Sequence, residues 1–492
     1  MGKLMAIESE LKLRVTVEQI ARLKRQFRKH QISKSVTRRL HNVYFDTPEL
    51  DLNQRNMALR LRRVGGKWFQ TLKGGGDVRA GLHQRDEWEF QVPDARIEFS
   101  LFKEALTEED FPTHLREKLN PVFTTDFNRT SFLIDWQGAR IEVCIDRGEI
   151  KTDQCAEPIC EVEMELKSGE PRQLFELALT LLDIAPLELE SVSKAEKGFR
   201  LLTDFVLQPV RAEFPKLAQS DSLTDSLDTF IWSCLRHLQE NLQGAILGVD
   251  PEYLHQMRVA LRRLRVLMRI SKKMHADSES EELCNVLSML GKNLGQAREW
   301  DVFATQTLAL LPEKLGKRAI AACALEQRRE LYARIQFFEI QRLLLKFAIW
   351  MTGDGRRHVK QCETKVNEFA NRHLRQLHKR YLHIRSANRE ASQLHALRIQ
   401  AKKLRYSAEF FSAWYDKHKV KSFLAALSNV QELLGSLHDI YIAKRLLDEM
   451  VLPRHVNSIA SFKVSLDGEL SEKLKILERE LEKFDRQAVF WK

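Results

Sequence analysis

Ile7-Glu8-Ser9-Glu10-Leu11-Lys12-Leu13 is the stretch on which the reading of this chain turns. Side chains alternate across a strand, so Glu8, Glu10 and Lys12 share one face while Ile7, Leu11 and Leu13 share the other. One such strand is ordinarily a solvated edge. Here the pattern recurs. Arg60 and Arg62 interleave with Leu59 and Leu61, and Thr71 and Lys73 flank Leu72. Arg85, Glu87 and Glu89 alternate with Asp86 and Trp88, and Glu142 and Asp146 flank Cys144. Glu161, Glu163 and Glu165 interleave with Val162, Met164 and Leu166. Six strands carrying both signs of charge point to a charged interior inside an apolar exterior.

Outward from these strands, alternating stretches at 7–13, 43–45, 58–63, 68–73, 85–90, 129–136, 139–145 and 159–166 are separated by turn residues. Gly65-Gly66, Gly74-Gly75-Gly76 and Gln137-Gly138 are expected as turns, with His83 in another. Trp68, Trp88 and Trp136 are expected to pack, and Arg63, Arg79 and Arg96 to lie on the surface. Helical spacing interrupts at 17–29 and 173–182. About eight strands at hairpin spacing fit a closed antiparallel barrel or a sandwich. A linker is expected around 203–226, and long helical patterns follow it to Lys492.

The 492 residues exceed what one core supports, so two or three domains are expected. The net charge of +11 is unevenly held. Residues 1–200 contain 32 Lys and Arg against 33 Asp and Glu, so the rest carries a net of +12. Such a surplus is expected to meet polyanions. The seven cysteines are scattered without a C-x-x-C, which indicates neither a disulfide framework nor a zinc site. A cytoplasmic setting without membrane or signal segment is expected, because the first acid is already Glu8 and no 18-residue apolar run occurs.

The basic part repeats. His255-Gln-Met-Arg258-Val-Ala-Leu-Arg262-Arg263-Leu264-Arg265 aligns with His395-Ala-Leu-Arg398-Ile-Gln-Ala-Lys402-Lys403-Leu404-Arg405, at an offset of 140. Leu294-Gly295-Gln-Ala-Arg298-Glu299 aligns with Leu434-Gly435-Ser-Leu-His438-Asp439 at the same offset. Two similar helical bundles, each of roughly four helices, are expected. Within each, the His and basic positions fall on one helix face, opposite apolar residues. A charged face alone is usually solvated; its duplication suggests two stripes lining one polyanion site.

In the barrel lumen, Arg and Lys would grip phosphate oxygens while clustered carboxylates hold hard divalent cations. Glu8-x-Glu10-x-Lys12 also matches the E-x-E-x-K signature of the CYTH superfamily, the triphosphate tunnel metalloenzymes. Tyr44-Phe45-Asp46-Thr47, Leu59-Arg60-Leu61-Arg62, Thr71-Leu72-Lys73, Arg85-x-Glu87, Arg129, Ile145-Asp146-x-Gly148, Glu161-x-Glu163-x-Glu165 and Ser193-Lys194 continue the resemblance in order. It implies an eight-stranded tunnel that hydrolyses inorganic triphosphate with two Mg²⁺ or Mn²⁺ ions. Glu8, Glu10, Asp146, Glu161, Glu163 and Glu165 are the implied metal ligands. Lys12, Arg60, Arg62, Lys73, Arg85, Arg129 and Lys194 are the implied phosphate-binding set. Lys12 and Glu87 are the implied catalytic residues, Glu87 by orienting an arginine or serving a second metal.

The remainder resembles the CHAD domain, an α-helical module associated with inorganic polyphosphate. This implies polyphosphate binding by His255, Arg258, Arg262, Arg265, His395, Arg398, Lys402 and Arg405, with Gly295 and Gly435 at close helix contacts. The expected architecture is α+β: a tunnel domain over 1–205, a linker over 206–218 and a helical domain of two repeats over 219–492. Alternatives are a polyphosphate-binding scaffold with little turnover, an adenylyl cyclase or a thiamine triphosphatase. Nucleic acid is disfavoured, since no aromatics interleave the basic stripes.

Overall fold

The alternation in the first 200 residues resolves into eight long antiparallel strands: β1 (Lys3–Arg14), β2 (Val36–Asp46), β3 (Met57–Val64), β4 (Lys67–Arg79), β5 (Leu82–Val92), β6 (Asn120–Trp136), β7 (Ala139–Lys151) and β8 (Ala156–Ser168). Their order is β5-β4-β3-β2-β6-β7-β8-β1, and β1 pairs back to β5, closing the barrel. A two-residue strand, β9 (Glu188–Leu189), adds to β1. This computed structural model describes residues 3–103, 107–108, 111–203, 205–217, 221–274, 277–312, 316–353, 366–386, 390–450 and 452–491, with side chains from Ser9 onward.

The barrel is inverted, as the alternation predicts. Leu11, Leu13, Leu59, Leu61, Val143, Val162 and Met164 are buried on its outer face. Helices cover that face. Val17–His30 buries Ile20, Leu23 and Phe27 and lies against β6. Pro171–Ile184 buries Leu174, Leu177 and Leu181 and lies against β1 and β8. Both begin with a capping box, Thr16 with Gln19 and Glu170 with Gln173, and the second also has proline at its first turn.

Two turn expectations need correction. Gly74-Gly75-Gly76 is no hairpin turn but lies inside β4, where the register to β5 shifts between Gly74 and Asp77. A Cβ on Gly76 would stand 2.1 Å from the Gln84 carbonyl oxygen, and φ there is +101°, so the bulge requires glycine. The turn itself is Ala80-Gly81, both at positive φ. His83 accordingly sits within β5 and is buried. Gly65-Gly66 and Gln137-Gly138 do connect neighbouring strands.

By contact the chain divides into two compact units, Met1–Gln208 with Phe338–Gly353, and Pro209–Phe337 with Asp354–Lys492. The sequence reading assigns all of 219–492 to the helical part, whereas the helix Phe337–Thr352 falls almost entirely in the barrel's unit. Its residues Ile340, Leu343, Leu344, Leu345, Phe347 and Ala348 are fully buried. Arg342, Lys346 and Ile349 form a half-buried stripe on its remaining face. The Leu189 N–H donates to Gln341 Oε1 at 3.2 Å, and Arg342 pairs with Asp183 at 2.7 Å. The expected boundary at 218 and 219 lies outside the described residues.

In the second unit, Pro251–Met274 followed by Ser278–Val302 recurs as Ala391–Phe410 followed by Lys417–Glu449. Met257, Leu261 and Leu264 are buried in the first copy, and Leu397, Ala401 and Leu404 in the second. No described helix is long and apolar enough to cross a membrane. Six of the cysteines are free thiols, and Cys362 lies outside the described residues.

Candidate functional site

Closure brings the charged faces of the strands into one lumen, a cavity of about 380 Å³. The topology sorts them. β7, β8 and β1 are consecutive neighbours and supply Asp146, Glu161, Glu163 and Glu10. β3, β4 and β5 are likewise consecutive and supply Arg60, Arg62, Lys73, Arg85 and Glu87.

On the acidic side, Asp146, Glu161 and Glu163 each place a carboxylate oxygen within 4.8 Å of the others, and all three are buried. The Lys194 ammonium lies among them, 2.6 Å from Asp146 and 3.0 Å from Glu163, and also bonds Glu161. Arg129 clasps Asp146 through Nε at 2.8 Å and Nη2 at 2.6 Å and also reaches Glu163. Lys12 bonds Glu163 and pairs with Glu10 at 2.8 Å. Burial alone would raise the Glu163 carboxyl, but Lys12, Lys194 and Arg129 outweigh it and hold it well below the usual range. Glu10 likewise overcomes burial, mainly through Lys12, and falls to about 2. These acids stay ionised and need cations beside them.

On the basic side, Glu87 lies 3.6 Å from Arg60 and 3.4 Å from Lys73. Arg62 Nε donates to Asn42 Oδ1 at 2.8 Å. Burial, then Arg60 and Arg129, lowers Arg62 to about 10. The Arg60 Nε–H is buried without a hydrogen-bond partner. A buried donor left over on a charged wall calls for a further acceptor. Arg129 and Lys194, implied as phosphate ligands, line the lumen and pair with the acids, while Arg60, Arg62, Lys73 and Arg85 line the opposite wall. Glu165 also lines the lumen and lies 2.6 Å from Lys167, which pairs with Glu142 at 3.0 Å. Glu8 is paired in register with Arg85, but its side chain lies outside the described residues.

Sequence reading missed Arg38, Asn42, Tyr44 and Lys167, which also line the cavity. Positions 38, 42 and 44 share one parity on β2, a signal lost because the expected strand began only at 43. Surface positions were read as expected: Arg63, Arg79 and Arg96 are exposed.

The second unit gathers another cationic site. Burial, then Arg262, Arg398 and Arg258, lowers the Lys402 ammonium to about 6. Burial and Arg262 lower Arg258 to about 9. His255, pressed by burial and Arg298, falls to about 3 and is neutral. The stripes from the two repeats therefore converge, with Glu299 and Asp439 as facing carboxylates. The Nε–H groups of Arg258, Arg262 and Arg398 are buried without partners. Arg298 and His438 join the cluster, a membership visible in the shared offset of 140 but read only as helix packing. Arg405 is turned to Glu409 at 2.8 Å and Gln431 at 3.1 Å.

Gly295 and Gly435 differ, contrary to the common role expected of them. A Cβ on Gly295 would lie 2.9 Å from Arg258 Nη1, whereas one on Gly435 meets nothing within 4 Å. Gly295→Ala is expected to shift the Arg258 guanidinium and weaken polyanion binding. Gly435→Ala is expected to leave binding unchanged and add up to about 1 kcal/mol of stability through helix propensity. Thermal melts beside polyphosphate titrations check both.

Residues 6–199 match the CYTH domain family, and residues 229–448 match the CHAD domain family. An inorganic triphosphatase of Haemophilus influenzae is 31% identical over 262 residues, spanning 52% of this chain and 72% of the relative. The crystal structure of the CHAD domain from the plant Ricinus communis is similar at a TM-score of 0.51 and 27% identity, covering 57% of this chain and 98% of that one. With the barrel carrying the first match and the repeated helices the second, this chain belongs to the proteins that join a CYTH domain to a CHAD domain.

Proposed function

We propose that the barrel hydrolyses inorganic triphosphate to diphosphate and phosphate with Mg²⁺ or Mn²⁺, and that the helical cluster binds inorganic polyphosphate. The observation that carries the first part is the sorting of one lumen into a carboxylate wall and a cationic wall. The donor set suits a hard cation: three converging buried carboxylates, with an ammonium already drawn among them. Asp146, Glu161 and Glu163 would hold one ion, with Glu10, Glu8 and Glu165 available to a second. Such ions neutralise phosphate charge and ease deprotonation of water.

The chain's own residues do the rest. Arg60, Arg62, Lys73 and Arg85 bind the phosphate oxygens, and Glu87 fixes the spacing of Arg60 and Lys73. Lys12, between Glu10 and Glu163, meets the substrate from the acidic side. The relative's name as an inorganic triphosphatase supports this substrate class. Phosphate release from triphosphate, ATP, thiamine triphosphate and long polyphosphate, each with Mg²⁺ and Mn²⁺, is the test. Absence of release from triphosphate by folded protein with either ion overturns the reading. We further place the tunnel domain at 1–205 together with the helix Phe337–Thr352, the helical domain in the rest of 219–492, and the protein in a reducing cytoplasm.

Polyphosphate binding is expected to depend on pH. Lys402 is faced by Arg262, Arg398, Arg258 and Asp439 and is lowered to about 6. Below that pH it is already charged and attracts the polyanion. Above it, binding must take up a proton, so affinity falls by up to about tenfold per pH unit. Titrations at constant ionic strength from pH 5.5 to 8 check this; a flat profile contradicts it.

A further inference from the structure

We propose that Gln341 is a positioning residue for the tunnel site, acting through β9. Gln341 is the buried polar residue of the largely apolar helix Phe337–Thr352, whose charged residues Glu339, Arg342 and Lys346 are half-buried. Its Oε1 accepts the Leu189 N–H, a donor buried at the end of a two-residue strand. The next residue clasps the site. Glu190 N–H donates to the Lys12 carbonyl at 2.9 Å, and Lys12 N–H donates to the Gly81 carbonyl at 3.2 Å. The His83 Nε2–H donates to the Glu190 carbonyl at 3.1 Å. The Glu190 carboxylate holds Lys197 at 2.8 Å, and Lys197 lies 3.6 Å from Glu161. Three residues after Glu190, Ser193 caps the helix whose first residue is Lys194. One acceptor thus anchors the backbone from which both Lys12 and Lys194 are aimed.

β9 is too short to hold itself. It makes two pairings to β1, at Leu13 and Arg14, and its other edge has Gln341 for the Leu189 donor. Losing that acceptor leaves a buried N–H unpaired, which the strand relieves by moving. Arg342 in the same helix makes an ion pair with the exposed Asp183 and serves as a control for helix docking.

This inference rests on the triphosphatase reading, and a turnover-independent readout separates the two. In the full-length protein, Gln341→Met removes the acceptor at similar length, and Gln341→Glu keeps it. Gln341→Met is expected to raise KM for triphosphate roughly tenfold with a smaller change in kcat. It should also speed hydrogen exchange in the peptide spanning 187–194. Gln341→Glu should restore both toward wild type, and Arg342→Ala should change neither. Wild-type exchange and KM in Gln341→Met, or an equal rise in KM in Arg342→Ala, overturns the proposal. If wild-type protein releases no phosphate, the exchange comparison still decides it.

Discussion

Glu163→Gln is expected to cut triphosphate turnover on the order of 10²–10³-fold and to weaken Mn²⁺ binding. Glu163 is the shared point of the acidic wall, touching Lys12, Arg129 and Lys194 at once. Glutamine keeps the shape but removes one negative charge, leaving three buried cations with less compensation. The fold should therefore also lose about 3–5 kcal/mol, the usual cost of breaking a buried ion pair from one side. Turnover, calorimetric Mn²⁺ titration and a thermal melt on the same preparation check the three parts. Near-wild-type turnover would remove the acidic wall from the proposed chemistry.

Lys402→Met is expected to act in opposite directions on stability and binding. The ammonium is buried among Arg262, Arg398 and Arg258, and holding it there costs the fold. Methionine has similar length and no charge, so the substitution should stabilise by about 1–3 kcal/mol. At pH 6 and below it should weaken polyphosphate binding on the order of tenfold, and the pH dependence should flatten. Triphosphate turnover should stay unchanged. A variant that melts lower, or binds as tightly at pH 5.5, would show that Lys402 is an ordinary helix residue. The stabilisation is the informative sign: the native cluster keeps like charges together at a cost that Glu299 and Asp439 offset only in part and an anionic ligand would relieve.

The barrel was legible because its chemistry inverts the usual pattern: Glu10, Arg60, Arg62 and Glu163 stand where a solvent-filled reading would place surface charges. Period-two alternation assigns such residues to a common face without knowing their partners. What it leaves open is who meets whom across the lumen. Lys194 and Arg129 enter the phosphate-binding set through the family resemblance, and the pairing of both with carboxylates is visible only in the closed barrel. The glycine run at 74–76 resembles a turn, while the Gly76 contact that makes it a bulge is between strands, and His83 was misplaced because β5 begins directly after the turn at Gly81. In the helices, the 140-residue offset exposed the converging stripes. The helix Phe337–Thr352 escaped because short apolar runs such as residues 347–351 reveal burial but not which body does the burying.

That helix has a consequence for how the protein is made. Residue 208 leaves the synthesis machinery about 145 residues ahead of residue 353, an interval of about 7–30 s at ordinary elongation rates. All eight barrel strands exist during that time, but the segment supplying Gln341 to Leu189 does not. The first helical repeat is synthesised in between. The catalytic body that comes first in the gene is therefore not complete until the first helical repeat has been made, and a nascent chain arrested in the intervening stretch would carry a closed sheet with β9 still unfastened.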